Sequence, residues 1–282
     1  MNVDFCRFKA TDDVDLQGWL NNESSDVAVV HVHGMSGNGY ENYFLDNLRA
    51  TYAIANISMF AIDTRGHGII SDFRQGDSNK HGGSCFEIFE ESVYDILGAI
   101  DYLKTLGKSK FILQGHSLGC MKVVNFVLTQ SAPYVTKVIL LAPTDMTGWA
   151  STDVHHQAYL RKAKDLLSKG KGEELVNAQC WLDKTPISAQ TYPTICEAGS
   201  AADIYGNREG GTLLGRVTIP TLIPYGDEDI GITKIDGTID AWLKRINKIK
   251  NVHTQISIIK GATHSFAEHE AELSAAVQGF LE

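Results

Sequence analysis

The chain has 282 residues, 43% hydrophobic and 21% charged, which suits one folded core, or one core carrying an insertion, and argues against disorder. Asp and Glu number 34 against 25 Lys and Arg, a net charge of −9, and with no basic run this speaks against nucleic acid or an anionic membrane surface as partner. No apolar stretch approaches the ~18 residues of a membrane span, and Met1-Asn2-Val3-Asp4-Phe5-Cys6-Arg7 lacks the basic-then-apolar profile of a signal peptide.

Phe5–Lys9 and Val14–Leu20 alternate loosely around Thr11-Asp12-Asp13 and predict an antiparallel hairpin. Short apolar runs follow at Val27–Val32, Ile57–Ile62, Lys110–Leu113, Lys137–Leu141, Thr221–Tyr225 and Gln255–Ile259. Their continuity, without strict alternation, predicts strands buried on both faces of a parallel sheet. Helical patterns lie between and after them at Glu90–Leu106, Leu118–Thr129, Ile235–Asn247 and Ser265–Phe280. The alternation implies a doubly wound, mostly parallel α/β sheet.

One interval breaks it. From Asp145 to about Arg216 no parallel strand fits; His156–Ser168 reads as a helix, Lys169-Gly170-Lys171-Gly172 as a break, and Glu173–Trp181 as another helix. Residues 145–216 are therefore expected to be a helical lid, inserted after the sixth strand over the C-terminal edge of a core made of 1–144 and 217–282. The five scattered cysteines, Cys6, Cys85, Cys120, Cys180 and Cys196, form no C-x-x-C pair and suit buried thiols in a reducing, cytoplasmic setting.

Gly115-His116-Ser117-Leu118-Gly119 carries the most chemistry. It matches G-x-S-x-G between the strand Lys110–Leu113 and an amphipathic helix. A nucleophile on a sharp strand-to-helix turn has strained backbone angles and little room beside it, so glycine is needed on both flanks. The turn lifts the Ser117 hydroxyl above the sheet and aims the Leu118 amide and the helix dipole at developing negative charge.

These features resemble the α/β-hydrolase superfamily, and three further motifs extend the resemblance. Val29-Val30-His31-Val32-His33-Gly34-Met35-Ser36-Gly37 is similar to the family's strand ending in H-G, which implies Met35 N–H as an oxyanion-hole donor beside Leu118 N–H. Asp63-Thr64-Arg65-Gly66-His67-Gly68 resembles a structural loop of the family and implies a packing role for His67. Gly261-Ala262-Thr263-His264, after the last strand, resembles the family's G-x-x-H and implies His264 as the base. For the acid, Gly226-Asp227-Glu228-Asp229 fits G-x-x-D and favours Asp229, with Asp145 and Asp227 as rivals. The segment Arg65–Tyr94 is more weakly similar to feruloyl- and cinnamoyl-esterase-like members.

The resemblance implies a serine hydrolase cleaving a small to medium carboxylic ester through a Ser117–His264–Asp229 triad and an acyl-enzyme. A thioesterase or acyltransferase would use the same intermediate, and Arg161-Lys162-Ala163-Lys164 is the one hint toward an anionic thioester. A ligand-binding relative without turnover is the reading from another class. Trp149, Tyr159, Trp181, Tyr192 and Tyr205 in the insertion could line an acyl pocket or hold the insertion to the body. No cofactor is expected: Gly66-His67-Gly68-Ile69-Ile70-Ser71 lacks a third glycine, no phosphate-binding loop occurs, Asp227-Glu228-Asp229 lacks calcium-loop spacing, and adjacent His155-His156 cannot share a helix face for a metal. Oligomeric state is not indicated.

Overall fold

In the computed structural model, which describes residues 2–176 and 185–282, the chain opens with the expected hairpin, β1 (Asp4–Lys9) and β2 (Asp15–Asn21). There follow β3 (Val27–Val32), α1 (Phe44–Ile54), β4 (Ser58–Asp63), a separate hairpin of β5 (Ser71–Gln75) and β6 (Ser78–Gly82), and α2 (Ser92–Thr105). Next come β7 (Lys110–His116), α3 (Leu118–Thr129) and β8 (Val135–Leu141). After α4 (Met146–Ser151), α5 (His156–Ser168) and α6 (Thr191–Cys196), the chain returns to the sheet with β9 (Thr221–Gly226). It closes with α7 (Ile230–Ile235), α8 (Ile239–Ile249), β10 (Thr254–Ile259) and α9 (Glu270–Leu281).

Eight strands form one sheet in the order β1-β2-β4-β3-β7-β8-β9-β10. All neighbours from β4 to β10 run parallel, and only the β1–β2 and β2–β4 pairings are antiparallel. The unbroken apolar runs of β3 and β4 are explained by burial on both faces. One face is covered by α1 and α9, where Phe44, Leu48 and Tyr52 meet Phe266, Leu273 and Val277. The other carries α2, α3 and α8 through Ile96, Ile100, Val123, Phe126, Trp242 and Ile246. Chain order reverses between β3 and β7, so the carboxyl ends of these strands open the crevice where doubly wound sheets hold ligands.

Three local expectations are corrected. The helix expected over Ile235–Asn247 is two: Gly237, at φ 77°, ends α7, and Thr238 starts α8 by accepting from Ala241 N–H at 3.2 Å. The last helix begins at Glu270 rather than Ser265, because Phe266 and Glu268 take positive φ (54° and 67°) that no right-handed helix accommodates. In the expected helix Glu173–Trp181, residues 173–176 instead form a turn and a bridge, with Val176 N–H donating to Ile187 O and Leu175 paired to Ser188. The rest of that helix, with Cys180 and Trp181, lies outside the described residues. The hairpin β5–β6 and helix α1 were not anticipated from the pattern.

Between β8 and β9 the described residues contribute no strand to the main sheet, and α4, α5 and α6 lie in this interval. No described helix is long and apolar enough to cross a membrane.

Candidate active site

Ser117 sits between β7 and α3 at φ 52°, ψ −123°, a conformation that side-chain-bearing residues rarely adopt. The turn is fixed by Ser117 N–H donating to Leu141 O at 3.0 Å and Cys120 N–H to Ser117 O at 3.0 Å. The flanking glycines are sterically required. A Cβ on Gly119 would stand 2.6 Å from His33 O and closer still to Val32 O, and one on Gly115 would stand 2.5 Å from Cys120 N. The segment after β3 thus runs so close to the turn that a Cβ on Gly34 would stand only 2.9 Å from Ser117 Cβ.

His264 lies on the loop after β10, with Nδ1 2.7 Å from Asp229 Oδ2. Asp229 is fully buried at the end of β9 and caps α7, its other oxygen accepting from Gly231 N–H at 2.7 Å. That second bond orients the carboxylate and leaves one oxygen for the imidazole. The rivals are engaged elsewhere. Asp145 accepts from Gly148 N–H at 2.7 Å and from Arg245 Nη1 at 2.6 Å, while Asp227 accepts from Gly261 N–H at 2.6 Å.

Ser117, His264 and Met35 share a cleft of about 350 Å³ with Ser36, Ile69, Thr144, Met146, Trp149, Thr185 and Ile230. Among the described residues, three larger depressions elsewhere, of about 500, 460 and 430 Å³, contain neither Ser117 nor His264. The Met35 amide lies in a turn closed by Gly37 N–H to Gly34 O at 3.2 Å. The Leu118 amide is in the first turn of α3, where no carbonyl of the helix faces it. Among the described residues, the hydrogen-bond partner of Ser117 Oγ is Thr144 Oγ1 at 3.4 Å. Sequence reasoning passed over Thr144; the available signal was its place at the carboxyl end of the strand beside the Ser117 strand.

Two histidines beside the site, His33 and His116, are held neutral by burial. Burial pushes His116 down to about 3, aided by repulsion from His264, and His116 Nε2 donates to His264 O at 3.0 Å. Burial likewise pushes His33 down to about 3, with repulsion from Lys122 next. His33 Nε2 accepts from Thr64 N–H at 3.0 Å. His67 stacks edge-on against Phe73 at 5.5 Å and is not among the residues that line the Ser117 cleft. Of the insertion's aromatics, Trp149 lines the cleft. Tyr159 and Tyr192 pack against each other at 5.9 Å, and Tyr205 donates to Pro143 O at 2.6 Å. Trp181 lies outside the described residues. Lys162 donates to Val176 O and Lys164 pairs with Glu197, so neither faces the cleft. Among the described residues no cluster of His, Cys, Asp and Glu has the composition to hold a metal.

A serine hydroxyl on a strained turn and an imidazole whose Nδ1 meets a buried carboxylate are arranged as acyl transfer would need them. Residues 59–281 match the family model described as "Protein of unknown function (DUF1749)", and the chain belongs to that family. No curated protein matches it in sequence. Solved structures show that the fold is that of the α/β-hydrolases. The chain is similar to Est1E from Butyrivibrio proteoclasticus with ferulic acid bound, at 20% identity over 97% of each chain and a TM-score of 0.66. It is also similar to the α/β-hydrolase GrgF from Penicillium sp. sh18, at 18% identity over 100% of this chain and 98% of the other, with a TM-score of 0.68. A thermostable carboxyl esterase from Bacillus coagulans in complex with glycerol aligns at 15% identity over 100% and 98%, with a TM-score of 0.70.

Proposed function

We propose that this member of the family is a serine hydrolase that cleaves a carboxylic ester of small to medium size. Ser117 is the nucleophile, His264 the general base, Asp229 its orienting acid, and Met35 and Leu118 N–H the oxyanion donors. The observation that carries the reading is the strained Ser117 turn opening into the same cleft as an imidazole whose Nδ1 is already held by a buried carboxylate. That bond leaves Nε2 of His264 to act on the serine. Hydrogen bonds between nucleophile and base are commonly long before substrate binds and tighten in the reacting complex.

In this mechanism Ser117 Oγ attacks the ester carbonyl carbon while its proton passes to His264 Nε2. The carbonyl oxygen becomes the oxyanion and is met by the two amides, worth ~3–4 kcal/mol for one such donor. Collapse breaks the bond to the alcohol oxygen, which takes the proton from His264. Water then enters, gives its proton to His264 and attacks the acyl carbon; the acid leaves and Ser117 regains the proton. Asp229 keeps hold of His264 Nδ1 throughout.

Met35, Ile69, Met146, Trp149 and Ile230 give the cleft an apolar lining, and His264 is its one ionisable group among the described residues. That suits an uncharged acyl or alkoxy group. Met146, Trp149 and Thr185 come from the insertion, which supports reading 145–216 as a lid over the core. The partners of Lys162 and Lys164 lie outside the cleft, which favours an ester over an anionic thioester. Cys6, Cys85 and Cys120 carry no disulfide, as a reducing cytoplasmic compartment would leave them.

The test is labelling with a fluorophosphonate probe followed by intact mass and peptide mapping, with Ser117→Ala as control. One adduct per chain, on Ser117, is expected, together with turnover of p-nitrophenyl esters in preference to acyl thioesters. A folded protein that takes no label would point to ligand binding without turnover, and a strong thioester preference would replace the esterase reading.

A further inference from the structure

Thr144 occupies a position that the proposed chemistry does not use. It is buried, its side chain forms part of the cleft wall, and its Oγ1 stands 3.4 Å from Ser117 Oγ. The chain reaches this point through an unfavourable backbone: Ala142, just past β8, has φ 47°. A residue with a Cβ stays in that region only where its surroundings over-determine it, and such strain gathers at functional sites.

The surroundings here are explicit. Ala142 N–H donates to Pro224 O at 3.0 Å, tying the segment to β9. Pro143 O accepts from Tyr205 O–H at 2.6 Å and from Tyr225 O–H at 3.4 Å. Burial raises both phenols well above their ordinary acidity range, so both remain donors. On the far side, Asp145 caps α4 and is gripped by Arg245, whose guanidinium also lies 4.9 Å from the Tyr205 ring. One clamp comes from the sheet, one from the insertion and one from α8, and Thr144 is the side chain they present to Ser117.

We propose that Thr144 is a positioning residue for Ser117. Its hydroxyl donates to the lone pair of Ser117 Oγ that neither attack nor proton transfer requires. This holds Oγ in the rotamer from which the Ser117 proton points at His264. Tyr205 maintains the arrangement, so the insertion acts on the nucleophile as well as on substrate. The proposal rests on the reading of Ser117 as nucleophile.

The experiment compares wild type, Thr144→Val and Thr144→Ser, first for the second-order rate of fluorophosphonate labelling at Ser117 and then for kcat and KM on a p-nitrophenyl ester. Thr144→Val is expected to lower the labelling rate and kcat about 10-fold, the scale of one neutral hydrogen bond, with KM within about twofold. Thr144→Ser restores both rates, because the hydroxyl returns without the methyl. Tyr205→Phe lowers labelling in the same direction by a smaller factor. Should valine prevent folding, Thr144→Ala removes the same hydroxyl with less bulk. Wild-type labelling rates in a folded Thr144→Val or Thr144→Ala protein would overturn the proposal while leaving the esterase reading intact. So would an effect confined to KM, which would make Thr144 a substrate contact. Absence of label on wild type would overturn both.

Discussion

His31 and His116 lie on the two strands that meet beside Ser117 and His33 just past one of them, and burial holds all three neutral in the folded protein. His33 shows why. Its Nε2 accepts from Thr64 N–H at 3.0 Å, and its Nδ1 lies 2.6 Å from Gly34 O, so Nδ1 carries the proton. A second proton on Nε2 would set donor against donor inside a fully buried site, with Lys122 repelling the charge as well. Folding therefore moves His33 and His116 from 6.5 to about 3, and lowers His31 in the same direction. Between those limits the unfolded chain binds one more proton per imidazole than the folded one. Stability consequently rises with pH across this window and is lost as pH falls below 6.5. Each such group costs ~1.4 kcal/mol per pH unit, so at pH 5.5 His33 and His116 together remove about 3 kcal/mol, a large share of a typical 5–15 kcal/mol.

The perturbation is His33→Gln, whose amide oxygen can still accept from Thr64 N–H but cannot titrate. Urea unfolding of wild type and variant at steps from pH 7.5 to 5.0 reads the slope of stability against pH. The variant slope should be shallower by one proton, ~1.4 kcal/mol per pH unit. Glu41, Asp63, Glu90 and Asp95 are raised by burial and act in the opposite sense at the acid end, so the difference between variants is the quantity to compare. Equal slopes would refute the reasoning, since they would mean that His33 takes up its proton without unfolding. Nitrogen NMR tests the same point independently: the His33 ring should keep its neutral Nδ1–H signature down to about pH 5.

Asp229→Asn should lower turnover ~10⁴-fold by upsetting the imidazole tautomer, whereas Asp145→Asn should cost less than about tenfold because Asp145 acts through the cleft wall; kcat on one ester separates them, and equal losses would contradict the assignment. Gly119→Ala should abolish soluble expression or destabilise by over ~3 kcal/mol, since its Cβ has only backbone oxygens of β3 and its end to meet; a near-native melting temperature would disprove the close approach. Lys122 and Glu87 form an ion pair at 2.5 Å with both side chains fully buried. Lys122→Met should therefore destabilise by ~3–5 kcal/mol in urea unfolding, and adding Glu87→Gln should recover much of the loss, because the cost is an uncompensated charge.

The parallel sheet was legible in the sequence because burial on both faces writes itself as continuous apolar runs, and β3 matches its expected bounds without change. The Ser117 turn was legible for a related reason: its two glycines answer contacts that any side chain would violate. Where the reading failed, local periodicity had hidden competing chemistry. An apolar spacing that carries through Ile235, Ile239, Trp242 and Ile246 looks like one helix, yet Gly237 and Thr238 end one and begin another. Hairpin β5–β6 went unseen because Ser71-Asp72-Phe73-Arg74-Gln75 buries one side chain, Phe73, and so has almost no alternation to detect.

The choice between Asp145 and Asp229 has a different cause. Both follow adjacent strands, β8 and β9, at the end of the sheet that carries the cleft. Both cap a short helix with one carboxylate oxygen and hold the other free for a partner: Gly148 N–H is to Asp145 what Gly231 N–H is to Asp229. Their local sequences therefore encode the same device twice. What separates them is the partner of the second oxygen, and that is set by tertiary structure. Arg245, 100 residues beyond Asp145, reaches its free oxygen and is held in place by Asp236, while β10 delivers His264 to Asp229. One acid is tied to Arg245 beside the wall that carries Thr144 and Trp149, and the other is free for His264, a difference that exists only once α8 and β10 have taken their places against the sheet.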